Sequence, residues 1–264
     1  MNILKQELAP ISDKAWKELF SQAKDVFANY LTARRLVDVT EPKGIDFGVI
    51  NTGRLKKIDE KNNENTICSI FDVQPLIELK TYFKLDRQEI DSIDRGCKDP
   101  DLTPLIEAAR AISKVEDEVV YYGTKEANID GLKKSVSDTI TLSLDAENLL
   151  KSIVEAKGKL VYLGVGGPYS LVVPPDVWKF IVSHGKGYPL LKSVKNTIDG
   201  KIVVSPHLKD VFFLSERGGD FILNLGQDLS IGYDSHNDKH IHLYFLETLT
   251  FQVLENAAVC LELK

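Results

Sequence analysis

Cysteine is scarce in this chain of 264 residues, and the three that occur, Cys68, Cys97 and Cys260, lie far apart. No CxxC pair exists, so the sequence indicates reduced thiols in a cytoplasmic protein rather than a disulfide framework. Long apolar runs are also missing. The longest uncharged stretch, residues 160–175, is interrupted by three glycines and three prolines, which predicts two strands and a turn instead of a membrane span.

An excess of positive charge is absent as well. Lys and Arg number 33 against 39 Asp and Glu, which gives a net charge of −6. An acidic surface repels phosphate and anionic lipid, so neither nucleic acid nor a membrane is expected as a main partner. The 43% hydrophobic content is sufficient for one large core or two smaller ones.

Catalytic motifs are not found, since the sequence contains no GxSxG, HExxH or Walker pattern. LGVGGPY, residues 163–169, fails the dinucleotide fingerprint because Tyr169 stands at the third glycine position and a strand follows. The acids Glu116, Asp117 and Glu118 diverge by about 100° per residue on a helix, which predicts a solvated or interface-facing surface. No catalytic residue is therefore assigned.

A histidine cluster provides the alternative function. His236, His240 and His242 occur within ten residues of one another, and His240 and His242 would share one face of a strand. They would suit a metal-dependent hydrolase or a protease-like enzyme. Because the segment spans a turn, where polar residues are common, and no fourth ligand is indicated, no metal site is predicted.

Two amphipathic helices stand out in the first half of the chain. One starts after the predicted cap Ser12, and the other starts at Thr103, predicted as an N-cap before Pro104, and ends at Gly123. The apolar stripe of the second helix is predicted to comprise Leu105, Ala108, Ala109, Ile112, Val115 and Val119. Between the helices, strand patterns on both sides of EKNNEN, residues 60–65, predict a long hairpin. A long hairpin gains stability by lying on another surface, which hints at oligomerisation.

The second half mixes helices and strands and then becomes nearly all strand. Residues 145–156 predict a helix, KLVYLGV and YSLVVP predict strands, PDVWKFIVSH a helix and KIVVSP a strand. Five strand patterns complete the chain after residue 206. This order favours an α+β body with an inserted α/β unit.

Several segments, taken together, resemble the bacterial and archaeal encapsulins, shell proteins once named linocin-type bacteriocins. The resemblance runs from about Leu8 to Lys264, and ERGGDF with GQDLSIGY is its most specific part. The other segments that carry it include NTGRL, KDPDLTPLIEAAR, EDEVVYYG, GGPYSLVV and ETLTFQVLENAAVCLELK.

The resemblance implies a Hong Kong 97 type phage capsid fold and an icosahedral homo-oligomeric shell, with T=1 favoured from chain length. It divides the chain into an N-terminal helical arm (1–40), a P-domain (41–128 and 207–264) with an E-loop hairpin at about 50–80, and an A-domain (129–206). The shell would be a cytoplasmic nanocompartment whose cargo enzymes carry a C-terminal targeting peptide. An iron-storing, ferritin-like cargo is favoured over a dye-decolourising peroxidase.

The resemblance also implies a binding site for the cargo peptide between the N-terminal helix and the P-domain sheet. Apolar residues would bury the peptide's side chains, and charged residues would bond its polar groups. The matching positions are Phe27, Tyr30, Leu31, Arg34, Asp38, Asp228, Leu229 and Ile231. Each of them suits a plain core equally well, since groove walls and cores share a composition.

Two further features follow from the resemblance. The turn that would surround a five-fold pore comprises His184, Gly185, Lys186, Gly187 and Tyr188. Some relatives bind flavin near a tryptophan, but Gln88 stands at that position here and offers no ring for stacking, so no cofactor is predicted.

Overall fold

A computed structural model describes residues 3–59, 65–135, 139–184 and 189–263, without the side chains of Ser135 and Leu263. Within these residues the helices are α1 Asp13–Tyr30, α2 Arg87–Asp94, α3 Thr103–Tyr122, α4 Leu132–Ser135, α5 Ala146–Tyr162, α6 Pro175–Ser183 and α7 Leu190–Ile198. The strands are β1 Asp38–Val39, β2 Val49–Lys57, β3 Ser69–Pro75, β4 Ile77–Asp86, β5 Gly123–Thr124, β6 Ile129–Asp130, β7 Thr139–Leu142, β8 Tyr169–Val173, β9 Asp199–Val204, β10 Val211–Ser215, β11 Phe221–Leu225, β12 Ser230–His236, β13 His240–Val253 and β14 Ala258–Leu263.

Two five-stranded sheets organise the chain. The first has the order β1-β11-β13-β12, with β4 also paired to the long strand β13. The second has the order β7-β14-β10-β8-β9. Strands β2 and β3 pair with each other as a separate hairpin, as the sequence predicts, but residues 77–86 leave the hairpin and join the first sheet as β4. The segment at the hairpin tip, residues 60–64, lies outside the described residues.

Strand pairing bears on the predicted domain boundaries. Strands β10 and β14, both within the segment assigned to the P-domain, pair in the second sheet with β7 and β8 of the predicted A-domain. The division into arm, P-domain and A-domain stays a prediction, and sheet membership does not follow its boundary at residue 206.

The two largest clusters of buried apolar residues both include residues of helix α3. Its first half, including Leu105 and Ile112, packs against α1, α2 and the first sheet. Its last turn, Val119 to Tyr121, packs among the residues of the second sheet and of α5. Because one rigid helix belongs to both cores, it fixes the position of the two sheets relative to each other.

The ends of α1 and α3 show how local sequence fixes helix boundaries. The Ser12 side chain accepts a hydrogen bond from Ala15 N, which confirms the predicted cap of α1. The predicted cap of α3 is wrong: Thr103 is its first helical residue, and Asp101 accepts from Thr103 N with its side chain. Val115, predicted in the buried stripe, is 40% exposed, whereas the other predicted members are buried.

Two elements of the second half differ from the sequence prediction. KLVYLGV is not a strand, since α5 continues through Tyr162. Leu149, Ile153, Ala156 and Leu160 lie on one face at helical spacing, and this buried stripe carries the helix past Gly158. Helix α7 was not predicted, although Leu190, Val194 and Ile198 have the i, i+4, i+8 spacing of a buried face.

The glycine pair in the turn between β10 and β11 allows the chain to pass from the second sheet to the first. Gly218 and Gly219 have φ angles of 82° and 83°, values that favour glycine. Gly219 N–H donates to the Asp38 carboxylate of β1. This stretch of SERGGDF is therefore a turn between strands.

We expect Gly123→Ala and Gly158→Ala to change stability in opposite directions. Gly123 ends α3 at φ 75° and ψ −177°, and an added Cβ would lie 2.3 Å from Ile129 O. Alanine there should cost about 3 kcal/mol or more. Gly158 lies inside α5 with open space around it, so alanine should stabilise by about 0.5–1 kcal/mol. Thermal unfolding midpoints measure both, and equal midpoints for the two variants would contradict the expectation.

Candidate functional site

A groove of about 470 Å³ lies between α1 and the β12 end of the first sheet. We call it the α1–β12 groove. Six of the eight residues predicted for the peptide site line it, namely Phe27, Leu31, Arg34, Asp228, Leu229 and Ile231. Its walls are mainly apolar, and its charged groups lie toward one end and the rim.

Residues of α1 on the same helical face complete the wall. Phe20 and Lys24 precede Phe27 by seven and three residues and also line the groove, together with Phe245 of β13. The sequence prediction omitted Phe20 and Lys24, although their spacing places them on the face of Phe27. Phe20 is 42% exposed, and an exposed aromatic ring beside an apolar groove is a feature of binding surfaces.

The other two predicted residues lie elsewhere. Tyr30 packs on His207, with ring centroids 5.8 Å apart, and the guanidinium of Arg110 lies 5.2 Å from its ring. Asp38 is in β1, after the chain has turned away from α1, and it binds Gly219 N–H beside a separate polar pocket of about 190 Å³. The structure therefore does not bring Tyr30 and Asp38 into the α1–β12 groove.

Arg34 forms the charged end of the groove through three carboxylates. Its Nε and Nη2 donate to the two oxygens of Glu116 at 2.8 and 2.9 Å, Nη1 donates to Asp228 at 2.9 Å, and Nη2 also donates to Glu247. We call these four residues the Arg34 cluster. Burial alone would lower the pKa of Arg34, but ion pairs with Glu116, Glu247 and Asp228 raise it. The guanidinium is therefore always charged and fixed in direction.

The prediction that the acidic triplet on α3 forms a solvated or interface-facing surface is wrong for two of its three members. Glu116 and Asp117 are fully buried, and only Glu118 retains an exposed carboxylate, which pairs with Lys114. The two buried acids diverge around the helix as expected, yet both find partners because the turn after α1 crosses α3 at this level. Glu116 binds the Arg34 side chain, and Asp117 binds the backbone of the same turn.

Asp117 holds the turn by its main chain. The carboxylate accepts hydrogen bonds from Thr32 N, Ala33 N and the Thr32 hydroxyl. Burial raises the pKa of Asp117 to about 7, against the lowering effect of these bonds from Thr32 and Ala33. The attachment of the N-terminal segment to α3 thus includes a group that titrates near neutral pH.

The histidines proposed for the alternative enzyme do not form a common site. His236 bonds the Tyr233 hydroxyl, while His240 and His242 lie along β13 opposite Asp86 and Lys84 of β4. Among the described residues, the side chains close enough to contact one metal ion together are Asp210, Cys260 and Glu262.

Those three side chains are better explained by a lysine. Lys133 Nζ lies 3.0 Å from both Asp210 and Glu262 and neutralises them. Burial raises the pKa of the Cys260 thiol to about 12, so the thiol is not a ready metal ligand.

Comparison with known proteins identifies the family. The family model described as encapsulating protein for peroxidase, Linocin_M18, matches residues 1–250. A type 1 encapsulin shell protein of Mycolicibacterium paratuberculosis is 38% identical over 253 residues, which cover 95% of each chain. The chain belongs to the encapsulin family.

Solved structures agree on the fold. The virus-like particle protein of Pyrococcus furiosus matches with a TM-score of 0.68 and 16% identity, over 93% of this chain and 98% of that one. The capsid protein of Myoviridae phage XM1 matches with a TM-score of 0.59 and 14% identity, over 88% and 91%. The predicted α+β fold of the Hong Kong 97 phage capsid type is confirmed.

As an encapsulin, the chain is a structural shell protein and not an enzyme. The alternative of a metal-dependent hydrolase is therefore set aside. No helix among the described residues is long and apolar enough to cross a membrane.

Two other expectations concern positions outside the groove. Of the predicted pore residues, His184 is exposed at the end of α6, and its ring stacks on Phe180 with centroids 4.0 Å apart. Gly185, Lys186, Gly187 and Tyr188 lie outside the described residues. Gln88 stands in the first turn of α2, where its N–H donates to the capping Asp86 side chain, so the position holds an amide and no stacking ring.

We expect the raised pKa of Asp117 to give a specific pH dependence of stability. Folded Asp117 keeps its proton up to about pH 7, whereas the unfolded chain releases it near the ordinary value of 3.8. The native state binds more protons between these values, so its free energy of unfolding falls as the pH rises through them. Asp117→Asn removes this titration. Between low and neutral pH, its free energy of unfolding should therefore rise relative to that of native protein by up to about 4 kcal/mol.

Denaturant unfolding across this pH range measures the difference. Glu118→Gln, a change in the neighbouring exposed acid, is the control and should follow the native profile. A constant difference between native protein and Asp117→Asn would rule out titration of Asp117 in this range.

Proposed function

We propose that this chain assembles into an icosahedral T=1 shell in the cytoplasm, and that the shell encloses enzymes whose C-terminal peptide docks in the α1–β12 groove. The observation that carries the proposal is the apolar groove beside α1 in a chain of the encapsulin family. Each copy of the chain would present one such groove to the interior.

The β2–β3 hairpin supports assembly. Leu55, Ile70 and Phe71 are 60, 57 and 64% exposed, and the hairpin forms a two-stranded sheet of its own that joins neither five-stranded sheet. Exposed apolar side chains on a two-stranded hairpin are unfavourable in water. Cover from a neighbouring copy, as the E-loop resemblance implies, removes them from solvent.

We expect Leu55→Ser combined with Phe71→Ser to lower the yield of closed shells severalfold, because the hairpin loses apolar surface that a neighbour would bury. Electron microscopy and size-exclusion chromatography measure shell formation. Val154→Ser, which changes a 53% exposed residue on α5, is the matched surface control. A native protein that remains a protomer or small oligomer would overturn the shell proposal itself.

The groove fits an extended peptide with apolar side chains. Phe27 and Leu229 are half-buried and offer ring and aliphatic surface, with Phe20 beyond them. Lys24 at the rim and Asp228 at the charged end can bond the peptide's polar groups. A peptide held this way binds through apolar anchors, while its direction is set by the charged ends of the groove.

A ferritin-like, iron-oxidising enzyme is the first cargo candidate, which would make the shell an iron store, and a dye-decolourising peroxidase is the second. The description of the matching family names a peroxidase as the enclosed protein. Small substrates would pass through pores at the five-fold axes, and His184 would lie at the rim. The enzyme encoded beside the shell gene, read for a C-terminal targeting peptide, distinguishes the two cargoes.

We expect Leu229→Asp to reduce cargo loading at least about tenfold, because it places a charge in an apolar wall. Leu229 is the residue of choice since Ile231 and Leu31 are buried in the core and their substitution would threaten folding. The probe is a fluorescent protein fused to the C-terminal segment of the enzyme encoded beside the shell gene. Val154→Asp is the control for an added surface charge. Normal loading of intact Leu229→Asp shells would refute the groove assignment.

A further inference from the structure

The Arg34 cluster contains more negative than positive charge. One guanidinium faces three carboxyl groups, so full ionisation would leave a net charge of 1 − 3 = −2. The Asp228 side chain is 43% exposed and reaches water, but the side chains of Glu116 and Glu247 are fully buried. Two buried carboxylates on one cation carry a large desolvation cost, and proteins remove such a cost by retaining a proton.

The hydrogen bonds identify where that proton is needed. Glu116 accepts a bond at each of its two oxygens from Arg34, so its ionised form is satisfied. Glu247 receives a bond at Oε1 from the same nitrogen, Nη2, that binds Glu116. Its other oxygen, Oε2, is buried and has no hydrogen-bond partner. A proton on Oε2 would convert this unpaired acceptor into a donor toward the adjacent Glu116 carboxylate.

Among the residues that the structure describes, Arg34 is the cation that acts on Glu247. Helix α3 presents Glu116, the turn after α1 presents Arg34, and the loop before β12 presents Asp228. Strand β4 places the apolar residue Leu79 opposite Glu247 in the sheet. Asp117, next to Glu116, adds a further acid that is engaged with Thr32 and Ala33.

We propose that Glu116 and Glu247 share one proton at neutral pH, and that this carboxyl–carboxylate pair holds the Arg34 side chain in place at the end of the α1–β12 groove. Glu247 Oε2 carries the proton and donates a hydrogen bond to the Glu116 carboxylate. Burial, and after it the charge of Glu116, raise the pKa of Glu247 well above its usual range, which agrees with this assignment. Glu116 and Glu247 are then positioning residues for Arg34.

Loss of this proton has a defined consequence. An ionised Glu247 adds a buried negative charge that competes with Asp228 for the one guanidinium. Arg34 Nη1 then leaves Asp228, and the negative potential beneath the groove increases. The charged end of the groove is thus set by two acids that do not themselves line it.

Infrared spectroscopy of assembled native protein in heavy water tests the shared proton without any peptide. Spectra are recorded at about pH 8 with Asp117→Asn as the background for each variant, because Asp117 is the other buried acid whose pKa is raised, and its removal leaves the protonated carboxyl band to report on the cluster. We expect the band in native protein and in Asp117→Asn, and its loss in Glu247→Gln. A native spectrum without the band, or a band that survives in Glu247→Gln, would overturn the proposal.

Glu116→Gln tests the pair from its other member and covers the case in which Glu247→Gln does not fold. With Glu116 neutral, Glu247 becomes the only buried carboxylate on Arg34 and should ionise, so the band should again be lost. Asp228→Asn, which changes the solvent-exposed acid, should keep the band. Retention of the band in Glu116→Gln would mean that the two acids do not share the proton.

The effect on the groove rests on the proposed cargo function and is measured separately. Affinity for the fluorescent fusion should fall about tenfold in native shells over the pH range in which the band disappears. Glu247→Gln should show a flat profile at the native, neutral-pH affinity. A native profile that stays flat while the band is lost would overturn the link to the groove, whereas no binding at any pH would count against the cargo proposal alone.

Discussion

The turn after α1 is held by two adjacent acids of α3, and the rest of the site depends on this attachment. Glu116 binds the Arg34 side chain, and Asp117 binds the main chain at Thr32 and Ala33. Neighbouring residues on a helix point in different directions, so one short segment of α3 grips the turn at two separate places. At the opposite end of α1, Ser12 and Lys14 bond Asp94 of α2, so polar contacts that specify a direction hold both ends of the helix.

This attachment gives the groove its shape. Because the turn is fixed on α3, α1 lies at a set distance from β12, and the space between them remains open rather than closing into core. Ala15, Leu19 and Ala23 bury one face of α1, while Phe20 and Phe27 on the adjacent face line the opening. The helix therefore serves the core and the groove with different sides, and α3 links both to the second sheet.

Local patterns predicted most elements, and their failures have physical reasons. The stripe of α1, the break at Gly123 and the final strands follow from spacing and capping. The length of α5 was not predicted. Gly158 is a residue type that often follows a helix end, and the burial of Leu160 beyond it shows that the helix continues. Six of the eight residues that the family resemblance implies line one groove, and their role in peptide binding stays a prediction. Tyr30 faces His207 and Arg110 instead, and Asp38 follows the turn that leads away from α1.

Periodicity and capping were sufficient to predict an α+β body, and continuous segments that resemble the encapsulins were sufficient to predict the family and its capsid fold. Which charged residues are buried and which partners they bind became known from the folded structure. Arg34 and Asp228 are 194 positions apart, and Arg34 and Glu247 are 213 apart. A buried carboxylate and a solvated one have the same letter in the sequence, and the difference between them is set by what the fold brings within hydrogen-bonding distance.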